Sequence, residues 1–551
     1  MGRVRRFGSL TDELKPAFTD AEVTVEAGRC LECGGPSALP PCTLACPAGV
    51  DVPGFVGAIA RGDFSGAART ISAANVLGGS CARVCPVEEL CEGACVLARA
   101  GRYPVRIGRL QRYAADRALA QNPEHEGRVP NGRRVAVIGA GPAGLACAAE
   151  LATLGYAVTV YEAREDSGGL IRYAIAPYRQ IAEPLPQEAE RIAALGVRFV
   201  MGFAVDRPDR LLQIENGADA VFLGVGLGHD LDGGYGGSDL PGVWPSLEFI
   251  EQLKTGTPPA VGRRVAVIGC GNTGIDVARE ALRLGAAHVS ILYRRSEAEM
   301  PAYAHEYREA VEEGVEFRWL TNPVRFVGRG RLRGVECERM RLGAPDASGR
   351  ARPEPIPNST FTIPVDTAIV AIGQAPRAEF LGWIPGLELV RGKVRVDPLT
   401  GRTTNPKYFA GGDAVNGGAT AVAAVGAGKR AAWGIHRALT GVPPEVAARA
   451  PTAAPPVEAG AVWRYELADA ALIVNRSWCK ACDLCVEVCP TGILALDASD
   501  RITVSDISRC IFCGLCALRC PDYVFILERG GAPVSAMADS SLAVLGELHD
   551  A

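Results

Sequence analysis

The cysteines of this 551-residue chain are the residues whose number and spacing most directly predict chemistry. Of the nineteen, eight lie between residues 30 and 95 and eight between residues 479 and 520. Structural disulfides would not be confined to the two ends of a chain in this way. In a sequence with no secretory signal, the distribution predicts thiolate-bound metal centres in two terminal modules. The cysteines outside these modules are Cys147, Cys270 and Cys337.

The C-terminal stretch contains one four-cysteine run twice, with the spacing C-x2-C-x2-C-x3-C-P. This run is typical of bacterial ferredoxins with two [4Fe–4S] clusters, in which the fourth cysteine of each run binds the other cluster. Zinc sites do not require two interlocked runs of four. We therefore expect one cluster on Cys479, Cys482, Cys485 and Cys520, and a second on Cys489, Cys510, Cys513 and Cys516.

The N-terminal set of cysteines is less regular than the C-terminal one. Its spacing alone allows either zinc or two iron–sulfur clusters, and it favours clusters. The spacing does not decide which cysteines share a centre. The set comprises Cys30, Cys33, Cys42, Cys46, Cys81, Cys85, Cys91 and Cys95.

A glycine-rich turn follows the apolar stretch Val135–Ile138 and opens a helical pattern. In such a turn the first glycine allows the tight bend, the second lets the backbone approach a pyrophosphate, and the third lets helix and strand pack closely. Glu162 ends the next predicted strand, where a carboxylate can accept hydrogen bonds from ribose hydroxyls. The pattern predicts an FAD site. Its glycines are Gly139, Gly141 and Gly144.

The same pattern returns about the middle of the chain with a different ending. Its glycines are Gly269, Gly271 and Gly274, followed at the helix start by Asn272 and Thr273. Where the first unit has Glu162, the second has Arg294 and Arg295. Arginine can pair with a 2′-phosphate, whereas an acidic residue favours a free 2′-hydroxyl. We expect this unit to bind NADP(H), and NAD(H) is the alternative. The simplest structural explanation of the two arginines is that they lie at a solvent-exposed strand end.

Two later segments are expected to complete the first site. The segment DTAIVAIGQAPR, residues 366–377, reads as a strand running into a glycine turn and contains Gln374. The segment at residues 408–432 reads as a strand, a turn with Gly412 and Asp413, and a helix beginning near Thr420. An aspartate there can bond a flavin, and the helix N-terminus can stabilise negative charge on it. The FAD domain is therefore expected to be split, with the NAD(P) domain inserted in it.

No catalytic acid, base or nucleophile is predicted. Disulfide reductases share the two-nucleotide plan but need a redox dithiol near the flavin, and the three central cysteines include no C-x-x-C. Hydride transfer from nicotinamide to flavin needs close positioning rather than a protein acid or base. Each of the six histidines is expected to be structural or solvated.

These motifs predict a multidomain fold. It has an α-helical N-terminal Fe–S domain, two Rossmann-like α/β nucleotide-binding domains, and a C-terminal α+β bacterial ferredoxin-like domain. The helical domain is expected at residues 1–125, the FAD domain at 126–250 and 361–442, and the NAD(P) domain at 251–360. A linker rich in Pro and Ala follows at 443–462, the ferredoxin domain at 463–530 and a tail at 531–551.

The bulk composition limits the possible partners and location. A formal charge of −4 is too small to indicate nucleic acid or an anionic membrane surface. No apolar run approaches the roughly 18 residues of a membrane span. We expect a cytoplasmic protein.

Residues 25–440 resemble the NADPH-dependent glutamate synthase small subunit and the N-terminal half of dihydropyrimidine dehydrogenase. The motifs are RVCPVEELCEGAC, IGRLQRYAAD, GGLIRYAIAPYR, VIGCGNTGID, YRRSEAEMPAY and FAGGDAVNGGAT. Among their residues, Gly169 and Leu170 are expected at the flavin site. The resemblance implies two N-terminal [4Fe–4S] clusters, with Cys81 a spectator. One cluster would use Cys30, Cys33, Cys42 and Cys95, and the other Cys46, Cys85, Cys91 and Gln111.

The C-terminal module is similar to the small ferredoxin-type subunit of 2-oxoacid:ferredoxin oxidoreductases, most tellingly in its CPDYVF ending. This resemblance implies a partner, a thiamine-dependent 2-oxoacid oxidoreductase, within a hetero-oligomeric complex. Because the module follows a Pro/Ala linker, we expect it to dock on that partner rather than pack on its own flavin domain, with the N-terminal clusters nearer the FAD.

The resulting hypothesis is an electron-transfer subunit that connects NAD(P)H, FAD, [4Fe–4S] clusters and a partner enzyme. One alternative keeps the chemistry and changes the partner to glutamate synthase, a pyrimidine-reducing subunit or a dehydrogenase. A second alternative, of another class, is a non-catalytic cluster-bearing interaction subunit with vestigial nucleotide sites. The intact glycines and Glu162 argue against that alternative. The direction of electron flow is left open, because cluster potentials cannot be read from sequence.

Overall fold

The computed structural model describes residues 15–34, 39–99, 101–119, 129–346, 349–442, 460–467, 469–530 and 532–533. Most of the predicted linker and tail lie outside these ranges. The chain divides into two units. The first comprises the described residues of Met1–Ala17, Asn75–Pro86 and Ala115–Pro444. The second comprises those of Phe18–Ala74, Val87–Ala114 and Glu445–Ala551.

The N-terminal region is helical, as expected. Its first helix begins at a capping box in which Thr19 and Glu22 satisfy each other's backbone N–H groups. Its third begins at Asp51, whose carboxylate accepts a hydrogen bond from the N–H of Gly54. The helices are α1 (Asp20–Ala27), α2 (Pro41–Leu44), α3 (Val52–Ala60), α4 (Phe64–Ala74), α5 (Gly78–Val84), α6 (Val96–Arg99) and α7 (Ile107–Leu119).

A parallel five-stranded sheet follows, in the order β16-β4-β1-β2-β3. Its central strands are apolar and buried on both faces, as parallel strands covered by helices must be. Its elements are β1 (Arg134–Ile138), α8 (Pro142–Thr153), β2 (Ala157–Tyr161), α9 (Leu170–Tyr173), α10 (Leu185–Ala194), β3 (Arg198–Val200), α11 (Pro208–Asn216) and β4 (Ala220–Leu223). The fifth strand, β16 (Tyr408–Ala410), comes from much later in the chain and pairs with β4 at one edge of the sheet.

A second parallel sheet has the order β5-β13-β6-β7-β8. Along the chain, an antiparallel sheet of strands β9 to β12 is inserted between β8 and β13, which returns to the parallel sheet. The elements are β5 (Val243–Pro245), α12 (Ser246–Lys254), β6 (Arg264–Ile268), α13 (Asn272–Arg283), β7 (His288–Leu292), α14 (Ala304–Glu313), β8 (Glu316–Arg318), β9 (Thr321–Gly328), β10 (Leu332–Pro345), β11 (Ala351–Pro355), β12 (Phe361–Pro364) and β13 (Thr367–Val370).

The chain then returns to the first sheet. Helix α17 packs closely on α8: a Cβ added at Gly428 would lie 2.1 Å from the carbonyl oxygen of Ala143. The elements are α15 (Ala378–Gly382), β14 (Leu389–Val390), β15 (Lys393–Val394), β16 (Tyr408–Ala410), α16 (Asp413–Asn416) and α17 (Ala421–Thr440).

The C-terminal module combines short helices with antiparallel strands, and its core includes the side chains around its cysteines. Its elements are β17 (Val462–Glu466), β18 (Ala470–Asn475), α18 (Leu484–Glu487), β19 (Leu494–Leu496), β20 (Ile502–Val504), α19 (Leu515–Arg519), β21 (Phe525–Arg529) and β22 (Ala532–Pro533). The predicted fold class is confirmed. Within the described ranges, no helix is both long and apolar enough to cross a membrane.

Two predicted boundaries need correction. Residues 126–250 and 361–442 were expected to form the FAD domain, but β5 and β13 pair with each other and β13 pairs with β6, so both strands belong to the second sheet. The strand of DTAIVAIGQAPR is therefore part of the second nucleotide-binding fold. A buried apolar strand carries no local sign of which of two similar sheets it will join, because that choice depends on long-range packing.

Candidate functional site

The first glycine turn lies between β1 and α8. Gly139 has a φ of +100°, and a Cβ there would lie 2.5 Å from the carbonyl oxygen of Gly224. A Cβ at Gly144 would lie 1.9 Å from the carbonyl oxygen of Gly139. Both positions therefore require glycine for the protein's own packing.

The middle glycine of this turn is different. A Cβ at Gly141 would meet nothing closer than 3.9 Å, so the protein's packing does not require glycine there. Gly141 is also the N-cap of α8, and no side chain caps it. Free backbone N–H groups at a helix N-terminus, beside a position without a side chain, are suited to binding a pyrophosphate.

Three further predicted residues lie around this turn. The carboxylate of Glu162 accepts a hydrogen bond from the N–H of Ala140 at 2.7 Å. Gly169 has a φ of +54°, and a Cβ there would lie 3.0 Å from the Cα of Gly141. Gly412 approaches from the other side, with an added Cβ 3.0 Å from the Cβ of Ala143. Leu170 follows Gly169 directly as the first residue of α9.

Asp413 and Thr420 are connected through the loop between α16 and α17. Asp413 accepts a hydrogen bond from the N–H of Ala419 at 3.1 Å, and burial raises the pKa of its carboxyl. Thr420 caps α17 by accepting a hydrogen bond from the N–H of Ala423 at 3.1 Å.

Gln374 lies on the loop that follows β13, which returns toward the first nucleotide-binding fold. On this loop Arg377 donates hydrogen bonds to the carbonyl oxygens of Val225 and Leu227. The Oε1 atom of Gln374 is buried and accepts no hydrogen bond within the described part of the chain. A buried acceptor without a donor is costly unless a bound group supplies one, which fits a cofactor at this position.

The second glycine turn repeats the geometry of the first. A Cβ at Gly269 would lie 2.3 Å from the carbonyl oxygen of Ala371, and one at Gly274 would lie 2.3 Å from that of Gly269. A Cβ at Gly271 would meet nothing within 4 Å, and no side chain caps α13. The space beside the middle glycine is thus present in both turns.

The residues near the second turn do not all remain available to a ligand. Asn272 accepts a hydrogen bond from the N–H of Tyr303 at 3.0 Å, and Thr273 is half-buried beside it. Arg295 is 5% exposed, pairs with Asp346 at 2.5 Å and donates to the carbonyl oxygen of Ala351. Arg294 is exposed and forms no ion pair among the residues that the structure describes.

A buried ionic cluster, not predicted from sequence, joins the two nucleotide-binding folds. Arg179 pairs with Asp276 at 2.7 Å and with Glu306 at 2.8 Å. The hydroxyl of Tyr178 also donates to Asp276, at 2.5 Å. Tyr178 and Arg179 end the motif GGLIRYAIAPYR, and Asp276 ends VIGCGNTGID. The two motifs were visible in the sequence, but nothing in either showed that their charged residues meet.

The three central cysteines are buried separately. Cys147 lies in α8, Cys270 follows β6, and Cys337 lies in β10. All nineteen cysteines are within the described residues, and none forms a disulfide bond.

In the second unit, one cavity is lined by four of the N-terminal cysteines. The other lining residues are almost all apolar, among them Val52, Val56 and Ile107. Burial raises the pKa of the Cys42 thiol to about 12 and raises that of Cys33 further. An iron core in this cavity would supply the positive charge that stabilises four neighbouring thiolates. The four are Cys30, Cys33, Cys42 and Cys95.

In the C-terminal module, cysteines of each predicted cluster set lie near one another. Burial raises the pKa of the Cys485 thiol, and the nearby Cys520, Cys482 and Cys479 raise it further. Backbone N–H groups point at two sulfur atoms of this set, that of Ile502 at Cys479 and that of Val524 at Cys520. Such bonds stabilise cluster-bound thiolates. A separate cavity is lined by Cys489, Cys510, Cys513 and Cys516.

The N-terminal and C-terminal cysteine loops share an uncommon backbone conformation. Glu32, which precedes Cys33, has a φ of +46°, and Ala481, which precedes Cys482, has a φ of +57°. Phe512, which precedes Cys513, has a φ of +56°. Side-chain-bearing residues rarely adopt this region, so the same turn at the same place in three C-x-x-C loops indicates one kind of site.

The remaining N-terminal set is distributed over both units. Cys46, Cys91 and Gln111 lie in the second unit and Cys85 in the first. Burial strongly raises the pKa of the Cys91 thiol, with Glu92 and Cys46 adding to the effect. Cys85 ends α5, and its N–H donates to the carbonyl oxygen of the fully buried Cys81. Among the described residues, no group of three or more His, Cys, Asp or Glu side chains is placed to hold a metal ion.

Three family models match the chain. Residues 7–123 match dihydropyrimidine dehydrogenase domain II, a 4Fe–4S cluster domain. Residues 133–428 match pyridine nucleotide-disulphide oxidoreductase. Residues 478–524 match a 4Fe–4S dicluster domain. The matches follow the predicted order of modules.

Relatives with established names include subunits of different enzymes. The glutamate synthase [NADPH] small chain of Halomonas elongata is 36% identical over 79% of this chain and 93% of its own length. The NADP(+)-dependent formate dehydrogenase subunit beta of Moorella thermoacetica is 39% identical over 72% of this chain, and the match spans 60% of that subunit. The NADPH-Fe(3+) oxidoreductase subunit beta of Geobacter sulfurreducens is 37% identical over 72% of this chain and 63% of its own length.

Proposed function

The chain belongs to the pyridine nucleotide-disulphide oxidoreductases and to the family of the NADPH glutamate synthase small chain, and from that premise we propose that it passes electrons between NADPH and a partner enzyme. It is an NAD(P)-dependent FAD and iron–sulfur oxidoreductase. We also propose how many cofactors it binds, which residues bind them and which enzyme is its partner.

The observation that carries the proposal is the pair of middle glycines. Gly141 and Gly271 each begin an uncapped helix beside space that the protein's own packing leaves free. One such turn could be accidental, but two in consecutive parallel sheets support one FAD and one nicotinamide nucleotide. When bound, a flavin exchanges a hydride with nicotinamide and single electrons with iron–sulfur clusters.

The roles of the chain's residues follow from this assignment. Glu162 would hold a ribose of FAD, and the N-termini of α8 and α17 would face its negative groups. The buried Oε1 atom of Gln374 would accept a hydrogen bond from the cofactor. Arg294, exposed two residues after the end of β7, would pair with the 2′-phosphate of NADPH.

The cysteines would hold four [4Fe–4S] clusters, the N-terminal pair assigned by resemblance as described above. The cavity lined by Cys30, Cys33, Cys42 and Cys95, and its C-terminal counterpart, support two of these assignments. Zinc is the alternative for the N-terminal set. Four clusters correspond to about sixteen irons per chain. Anaerobic metal analysis that gave about eight irons, with zinc in the remainder, would refute the N-terminal assignment.

For the partner we propose a thiamine-dependent 2-oxoacid oxidoreductase in the cytoplasm. The support is the resemblance of the C-terminal module to a ferredoxin-type subunit of such enzymes. The named relatives are subunits of glutamate synthase, formate dehydrogenase and an NADPH-Fe(3+) oxidoreductase. Sequence similarity alone therefore does not identify the partner.

The test uses the native complex, isolated through an affinity tag on this chain. We expect it to reduce NADP+ when supplied with a 2-oxoacid and coenzyme A. Formation of glutamate from glutamine, 2-oxoglutarate and NADPH by the same complex would replace the proposed partner with glutamate synthase. A chain that binds no flavin at all would support the non-catalytic interaction subunit instead.

A further inference from the structure

The first cysteine loop of the C-terminal module contacts the first cysteine loop of the N-terminal region, and both loops lie in the second unit. The ammonium group of Lys480 donates to the backbone carbonyl oxygen of Glu32 at 2.9 Å and to that of Leu31. The N–H of Gly34 donates to the carbonyl oxygen of Pro521 at 2.9 Å. We call these residues the cysteine-loop junction.

The junction is built directly on cysteine positions. Leu31 and Glu32 lie between Cys30 and Cys33, and Lys480 lies between Cys479 and Cys482. Pro521 follows Cys520, which is expected to belong to the same site as Cys479. The contact therefore joins one predicted cluster site to another with no intervening element.

Lys480 is the centre of this junction. Besides the two carbonyl oxygens, its ammonium pairs with the carboxylate of Asp522 at 3.0 Å. Asp522 is 4% exposed, so its charge needs a partner that stays in place. A charged donor shared by two acceptors on one loop and a buried carboxylate on the other holds both loops together more firmly than neutral bonds would.

A second contact lies beside the junction. Arg102 pairs with Glu487, which ends α18 of the C-terminal module. Both side chains are partly exposed, so this pair adds less than the Lys480 contacts. It nevertheless gives an independent way to test the same interface, because its two charges can be exchanged.

We propose that Lys480 is a positioning residue that holds the two cysteine loops in contact, so that electrons pass between the N-terminal and C-terminal cluster sites within one chain. The proposal rests on the proposed function. In each such transfer one electron leaves the group at one site and reduces the group at the other, and no bond or proton changes. The module is thus fixed on the N-terminal cysteine region rather than held only by its linker.

The first experiment measures hydrogen exchange of the Gly34 amide in the intact holoprotein. Lys480→Met keeps the aliphatic stem and removes the charge and its hydrogen bonds. We expect exchange at Gly34 to rise about tenfold or more, since bonds to a charged group are among the stronger ones. Lys480→Arg should restore protection. The control is Arg464→Met, which removes an exposed pair with Glu528 in the same module and should leave Gly34 unchanged.

Exchange at the amides of β18 shows whether the module itself stays folded. If the β18 amides exchange hydrogen faster in Lys480→Met, the test uses the Arg102–Glu487 pair instead. Arg102→Glu and Glu487→Arg should each raise hydrogen exchange at Gly34. The double variant, in which the two charges are swapped, should restore the protection of Gly34. Unchanged exchange at Gly34 in Lys480→Met, or a double variant no better than the single ones, overturns the proposal.

A second experiment measures the rates at which the flavin and the C-terminal clusters are reduced. After mixing with NADPH, reduction of the C-terminal clusters should slow in Lys480→Met while reduction of the flavin keeps its rate. Equal rates in wild type and variant would show that Lys480 does not position an electron path. Since the exchange measurement needs no NADPH chemistry, a failure of the proposed function is distinguishable from a failure of the junction.

Discussion

Arg179 and Asp276 form a buried ion pair, 2.7 Å between Nη2 and Oδ1, that connects the segment after α9 to helix α13. Glu306, on α14, is the second carboxylate of this arginine. The cluster therefore ties the flavin-side fold to two helices of the NAD(P)-side fold. Because hydride transfer depends on close and fixed approach of two rings, we expect this tie to affect the reaction as well as the fold.

Arg179→Met should therefore affect both stability and reduction of the flavin. It leaves two buried carboxylates without their cation, which costs about 3 kcal/mol or more. We expect a lower thermal midpoint and a rate of flavin reduction by NADPH that falls about tenfold, with FAD still bound. Stopped-flow absorbance measures the rate. Arg395→Met, which breaks the exposed pair with Glu388, is the control and should change neither property.

Glu280 gives a pH-dependent prediction. It is fully buried, accepts a hydrogen bond from the N–H of Tyr178, and burial raises its pKa from 4.5 to about 7. A carboxyl whose pKa is higher in the folded state contributes stability below its unfolded pKa and loses it as the pH rises through 7. Glu280→Gln imitates the protonated form, so it should match wild type at pH 5 and be more stable at pH 8.

The expected gain at pH 8 is about 3 kcal/mol, because the rise of the pKa from 4.5 to about 7 is worth about 1.4 kcal/mol for each pKa unit. Thermal unfolding followed at both pH values measures it. An equal change at pH 5 and pH 8 would contradict the prediction, because a packing effect does not depend on the charge of the carboxyl.

The sequence predicted local geometry well and long-range partnership poorly. The roles of Gly139 and Gly144 were predictable, because the close approach of strand and helix depends only on a few neighbouring residues. The burial of Arg295 was not predictable, since its partner Asp346 lies about fifty residues later, just after β10. For the same reason β13 was assigned to the wrong sheet, as a strand's neighbours are chosen by packing.

The difference between the two arginines leads to a prediction on nucleotide preference. Arg294→Gln should raise the KM for NADPH about 10- to 100-fold, the value of a lost charge-assisted bond to phosphate, and leave that for NADH nearly unchanged. Arg295→Gln should instead lower thermal stability, because it breaks a buried ion pair, and affect both nucleotides alike. Steady-state kinetics with each nucleotide distinguish them. If Arg294→Gln weakened both nucleotides equally, the arginine would not contact the 2′-phosphate.

The middle glycines allow binding to be separated from folding. Gly141→Ala places a methyl group where the protein has room, so the fold should persist while FAD is lost on gel filtration. Gly271→Ala should in the same way weaken NADPH and leave FAD bound. Gly144→Ala is the contrasting variant, since its Cβ would clash with the carbonyl oxygen of Gly139 and destabilise the whole fold. Full FAD content in Gly141→Ala would show that the turn does not hold the pyrophosphate.

The last prediction concerns where electrons leave the chain. The cysteine-loop junction involves the site of Cys479 and Cys520, whereas the cavity lined by Cys516 is formed only by residues of the C-terminal module. We therefore expect the cluster at Cys516 to serve the partner. Cys516→Ser should lower the iron content by about four per chain and abolish turnover with the partner, while NADPH still reduces small dyes through the flavin. Cys81→Ser, at a buried cysteine outside every proposed ligand set, should keep iron and both activities. Partner turnover that survives in Cys516→Ser would place the exit elsewhere, with the N-terminal clusters as the next site to test.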